Sequence, residues 1–70
     1  MPLPRLKGIR ERAYLTQADL AEKSGVAETT INRLEQGHHA ARFSTIRKLA
    51  EALKVLPDEL TGARRQDEYS

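Results

Sequence analysis

An all-α domain of five short helices, with a helix-turn-helix at its centre, is what this sequence predicts, and three observations carry the prediction. Along most of the chain apolar residues recur at the three- and four-residue spacings of a helix face. The stretch 16–37, TQADLAEKSGVAETTINRLEQG, contains two such faces separated by the single glycine Gly25. Seventy residues at 39% hydrophobic content can fill one small core and no second domain.

Met1 to Pro4 contains two prolines and reads as an extended lead-in, with Pro4 suited to the first helical position. Leu6, Ile9 and Ala13 fall at i, i+3 and i+7, which predicts a helix over about 5–13 with Lys7, Glu11 and Arg12 outside and Arg10 near the apolar face. Leu15 follows as a core plug. Thr16 offers a hydroxyl cap to the second helix, whose narrow inner face is Leu20, Ala21 and Ser24 and whose outer face holds Gln17, Asp19 and Glu22. Gly25 stops it. A third helix fits 27–36, because at ~100° per residue Ala27, Ile31 and Leu34 share one side. Glu28, Thr29, Asn32, Arg33 and Gln36 share the other. That outer row has hydrogen-bonding groups and no large apolar residue, as a helix needs in order to meet base edges in a DNA major groove.

Gly37 suits the left-handed position after the third helix, and 37–42 reads as a loop. Phe43, Ile46, Leu49, Ala50 and Leu53 mark the fourth helix, starting near Arg42 or Ser44. Val55 and Leu60 flank a fifth, with Pro57 in its first turn and Asp58 and Glu59 favoured by the positive helix end. Beyond Gly62, ARRQDEYS has no periodic apolar face and reads as a disordered tail, which leaves 1–62 as the folded domain.

Composition excludes several function classes. Without cysteine there is neither a disulfide framework nor a thiolate metal site. The two adjacent histidines His38 and His39 lack the i, i+4 spacing that puts both on one helical face, so no metal is expected. The start turns charged too early for a signal peptide, and no apolar run approaches the ~20 residues of a membrane span. A cytoplasmic protein is expected, nucleoid-associated when bound to DNA. The chain has no glycine-rich phosphate loop, no H-E-x-x-H and no size for a substrate pocket, so neither an enzyme nor a cofactor or small-molecule ligand is expected. Net charge is only +2, a weak hint of a polyanion, so the placement of charge has to decide.

The motifs LTQADLAEKSGV, TINRLEQG, STIRKLAEALKV and PDEL, in this order from Leu6 to Leu60, resemble the phage-repressor/Cro-type (XRE) helix-turn-helix family. The resemblance implies a compact five-helix lambda-repressor-like domain that binds double-stranded DNA. The chain departs from the family pattern at four positions. Lys54 stands where the family usually has a glycine ending the fourth helix, at a cost of about 1 kcal/mol. Ala41 replaces a usual proline, and Ala27 and Leu56 replace small polar residues, so the third and fifth helices lack side-chain caps at their starts.

Carried over residue by residue, the resemblance implies base contacts from Glu28, Thr29 and Arg33, with Asn32 on the same arc. It implies phosphate contacts from Gln17, Gln36, Arg42 and the backbone near Phe43, with Thr30 at the edge. Without the motif, these would read as solvated helix faces. Arg33 has the planar fork that suits guanine O6 and N7. Glu28 either accepts from a cytosine amino group or serves the helix dipole. The resemblance also implies an ion pair between Arg10 and Glu35. Since such a domain covers about half a site, a weak homodimer through the fourth and fifth helices, around Leu56 and Leu60, is expected. A second function class stays open, a protein-interaction module such as an antitoxin-like or phage accessory protein, for which the exposed apolar candidate Leu56 and the modest charge speak.

Overall fold

Leu6, Leu20, Ile31, Leu34, Ile46, Leu49 and Leu60 are sealed from solvent, and the helices are placed so as to bury them. The computed structural model describes residues 3–38 and 40–62. The tail expected over 63–70, and Met1, Pro2 and His39, lie outside these residues. The helices are α1 (Leu6–Arg12), α2 (Gln17–Ser24), α3 (Glu28–Glu35), α4 (Phe43–Leu53) and α5 (Pro57–Thr61), with no strand among the described residues. α2 lies between α3 and α4, α5 packs on α4, and α1 closes the arrangement against α3 and α5.

The helix ends explain most boundaries. Thr16 Oγ1 accepts from the Asp19 N–H and the Asp19 carboxylate accepts from the Thr16 N–H, both at 3.0 Å, a reciprocal capping box. Gly25 at φ 78° then ends α2 in the left-handed region that a glycine enters without strain. α1, α3 and α4 close alike, with an N–H just past the helix end reaching back five residues: Leu15 to Arg10, His38 to Arg33 and Val55 to Ala50. Each closure needs a left-handed residue. In α3 it is Gly37, but in α1 it is Tyr14 and in α4 Lys54, both at φ 59°. Leu56 has no capping side chain, yet the Glu59 carboxylate accepts from the Leu56 N–H at 3.0 Å, so the start of α5 is fixed from within the helix.

Several expected placements change. Pro4 lies in a turn ahead of α1 rather than at its first position, and the buried residue of the lead-in is Leu3. Ala13 is exposed, since α1 ends at Arg12; the second buried residue on its inner face is Arg10. Ala27 is exposed because its backbone is extended there, ahead of α3, so the inner side of α3 is Ile31 and Leu34 alone. Phe43, read as part of the apolar stripe of α4, is 65% exposed because it opens the helix before the stripe meets α2. Leu60 is fully buried against the core and cannot line a dimer surface, whereas Leu56 is 63% exposed.

Candidate nucleic-acid interface

Three helices meet at one polar cluster. Arg10, on α1, donates from Nε to Glu35 Oε2 at 2.6 Å and from Nη2 to Oε1 at 2.9 Å, so the sequence-predicted partners meet as a two-pronged pair with both side chains largely buried. Its Nη1 donates to the Leu15 carbonyl at 2.8 Å, which ties the same guanidinium to the segment entering α2. Gln17, first residue of α2, donates from Nε2 to Glu35 Oε1 at 3.0 Å and to Asn32 Oδ1 at 3.3 Å. Gln36 Nε2 donates to the same Asn32 oxygen at 3.2 Å. No buried side-chain nitrogen or oxygen among the described residues lacks a partner.

The cluster fixes its own charge state. Burial pushes the Glu35 carboxyl up, but hydrogen bonds from Arg10 and Gln17, together with the charges of Arg10 and Lys7, outweigh that and hold it below the usual carboxylate range. Hydrogen bonding to Glu35 raises Arg10 further. Glu35 is therefore an ionised, acceptor-only group at neutral pH. The Asp19 carboxyl is also lowered, by its hydrogen bonds with Thr16.

Outside this cluster lies the outer arc of α3. Glu28, Thr29, Arg33 and Gln36 are exposed along it, and Asn32 and Thr30 are half-buried at its edges. Arg42 and Phe43 are exposed at the start of α4, and an open groove lined by Thr30, Leu34, Arg42, Ser44 and Lys48 joins them to α3. Of the phosphate candidates, Gln17 and Gln36 belong to the hydrogen-bonded cluster, whereas Thr30 and Arg42 share the groove. Lys48, on α4, enters the same groove because the loop ahead of α4 brings the start of that helix opposite Thr30 and Leu34, a placement that periodicity along one helix does not reveal. Nor does periodicity connect Gln17 with Asn32 and Glu35, since helical spacing says nothing about which residues meet between helices.

A family model described as helix-turn-helix matches residues 6–60, from the start of α1 to Leu60 in α5. The chain belongs to this helix-turn-helix family. Within it, the HTH-type transcriptional repressor RghR of Bacillus subtilis is 44% identical over 52 residues, 73% of this chain and 38% of that protein. The cryptic phage CTXphi transcriptional repressor RstR of Vibrio cholerae is 33% identical over 64 residues, 91% of this chain and 57% of that protein. This helix-turn-helix chain thus spans less than two thirds of either repressor. The crystal structure of the restriction-modification controller protein C.AhdI of Aeromonas hydrophila superposes with a TM-score of 0.77 at 36% identity, over 80% of this chain and 85% of that one. An HTH_3 family transcriptional regulator of Vibrio cholerae gives 0.78 over 83% of this chain and 33% of that one, but at 22% identity it bears on the fold alone.

Proposed function

We infer that this chain is a sequence-specific, double-stranded-DNA-binding transcriptional repressor whose 1–62 domain lays α3 in the major groove. The observation that carries this reading is the outer arc of α3: Glu28, Thr29, Asn32 and Arg33 stand side by side, exposed or half-exposed, with no apolar residue between them. A helix fits the groove, and such groups can meet base edges there. Phosphate contacts on either side fit the same pose. Both Gln17 Nε2 hydrogens are committed to protein acceptors and the Asp19 N–H is taken by Thr16, so the phosphate contact at α2 falls to the main-chain N–H groups of Gln17 and Ala18, which have no intrahelical partner. Gln36 uses one N–H on Asn32 and has a second for a phosphate. Arg42, Thr30 and the first-turn N–H groups of α4 at Phe43 line the other flank.

Repression is supported by the names of the two repressors to which the chain is similar. Two copies on a two-fold site, their half-sites about 34 Å apart, would complete the operator, with the exposed Leu56 at a weak contact between them. The reading places the protein on cytoplasmic DNA and asks for no catalysis or cofactor. No described helix is long and apolar enough to cross a membrane.

The test is a gel shift of genomic fragments at low and moderate salt. One fragment retained against excess competitor, with affinity falling steeply as salt rises, is the expected result. Uniform weak retention of all fragments would replace this reading by the protein-interaction module.

A further inference from the structure

The polar cluster leaves Asn32 with an unusual constraint. Its Oδ1 accepts from both Gln17 and Gln36, which fills the two lone pairs of an amide oxygen. The orientation of each amide follows from the buried pair. Arg10 keeps Glu35 ionised, so Glu35 can only accept. Gln17 must therefore turn its NH2 toward Glu35, and its second hydrogen then points at Asn32. Asn32 has to answer with its oxygen. The same oxygen draws in the Gln36 NH2 from the next turn of α3. What Asn32 has left for a ligand is Nδ2, a pair of donors.

We propose that the Arg10–Glu35 pair, acting through Gln17, makes Asn32 a donor-only reader that selects guanine and rejects adenine at one base pair of the operator. This rests on the DNA-binding reading above and adds to it which edge Asn32 can read. An asparagine free to orient pairs with adenine through both amide groups, its oxygen accepting from N6 and its nitrogen donating to N7. Here the oxygen is occupied, so adenine would set its N6 hydrogens against the Nδ2 hydrogens. Guanine presents two acceptors, O6 and N7, to the same two donors. Asn32 is the residue that touches the base. Gln17 and Glu35 are positioning residues, and their effect on sequence preference passes through the Asn32 amide.

Binding-site selection at fixed salt tests this with the wild type, Asn32→Ala, Asn32→Asp, Gln17→Met and Gln36→Met, each checked for folding by circular dichroism. The base pair whose preference disappears in Asn32→Ala is the one Asn32 reads. There the wild type should favour guanine over adenine by about tenfold. Gln17→Met removes the donor but keeps the volume, so the amide can turn and adenine should rise to within about threefold of guanine. Should Gln17→Met not fold, the exposed Gln36→Met, which frees one lone pair of the same oxygen, should shift preference the same way. Asn32→Asp presents an acceptor and should move the preference to cytosine, whose N4 donates. Adenine preferred by the wild type, an Asn32→Ala protein that selects the unchanged site, or a preference unmoved in the folded glutamine variants would overturn the inference while leaving DNA binding intact. A wild type that enriches no sequence overturns the DNA reading itself, and this inference with it.

Discussion

The two sides of α2 are held by different forces. Against α4 it packs through apolar side chains, Leu20 meeting a core that includes Ile46, Leu49 and Ala50. Toward α3 and α1, the apolar contact is joined by a directed chain of hydrogen bonds from Arg10 through Glu35 and Gln17 to Asn32. Apolar burial is proportional to area and has no direction, so it stabilises without specifying how any polar group faces solvent. A hydrogen-bonded chain anchored on an ion pair does specify it. The fold thus keeps its generic stability on one side and the polarity of its outer arc on the other.

The largest expected effect breaks the apolar side. Leu49→Ala or Leu20→Ala, each emptying a fully buried position, should cost about 2 to 5 kcal/mol of unfolding free energy in a urea titration. For a domain whose whole stability is on the order of 5 kcal/mol, that approaches unfolding. A loss below about 1 kcal/mol would show that the core collapses around the gap.

On the polar side, Arg10→Met and Glu35→Gln should each cost about 3 kcal/mol, because each leaves a partner poorly paired inside the protein. The double variant should cost much less than the sum of the two, and simple additivity in that cycle would mean the pair contributes nothing of its own. Acid should act on the same group. Since the folded Glu35 carboxyl lies below its unfolded value of about 4.3, its stabilisation is complete above that pH and is lost as pH falls through the folded value. The melting temperature should hold steady from about pH 7 to 5 and fall below about pH 4. Glu35→Gln should flatten that acid limb, leaving a smaller slope from Asp19, which shifts the same way.

The smallest effect concerns helix ends. Tyr14 and Lys54 occupy left-handed positions where a glycine carries no strain, and Tyr14 is 92% exposed, with little packing to lose. Lys54→Gly and Tyr14→Gly should each stabilise by up to about 1 kcal/mol. Destabilisation by either would assign the side chain a contact that outweighs the backbone strain.

What the sequence made legible follows the same division. Helix periodicity located α1 to α4, Pro57 with Asp58 and Glu59 located α5, and the glycines and Thr16 located the ends of α2 and α3, because those signals are local. Ala13, Ala27 and Phe43 were misplaced because each sits at a helix boundary, where a wheel projects a residue onto a face that the backbone there does not present. Leu60 was misread as surface because the five residues of α5 are too few for a period to separate inside from outside. The α3 outer arc could be drawn from spacing alone. The coupling of Gln17 to Asn32 and Glu35 joins positions 15 and 18 residues apart, and only the packing of α2 on α3 brings them within hydrogen-bond reach.

That α3 reads bases, and does not merely sit against the backbone, is tested most directly by selecting binding sites with the wild type and with Arg33→Ala at one salt concentration. Arg33 is exposed on the outer arc, so the substitution spares the core and the polar cluster. Arg33→Ala should cost about 1 to 3 kcal/mol on the preferred site, relax the preference at one guanine and weaken random DNA less. Arg42→Ala, by contrast, should weaken all sequences alike and lower the salt slope by about one charge. An Arg33→Ala protein that selects the same sequence with uniformly lower affinity would contradict the account and make Arg33 a phosphate contact.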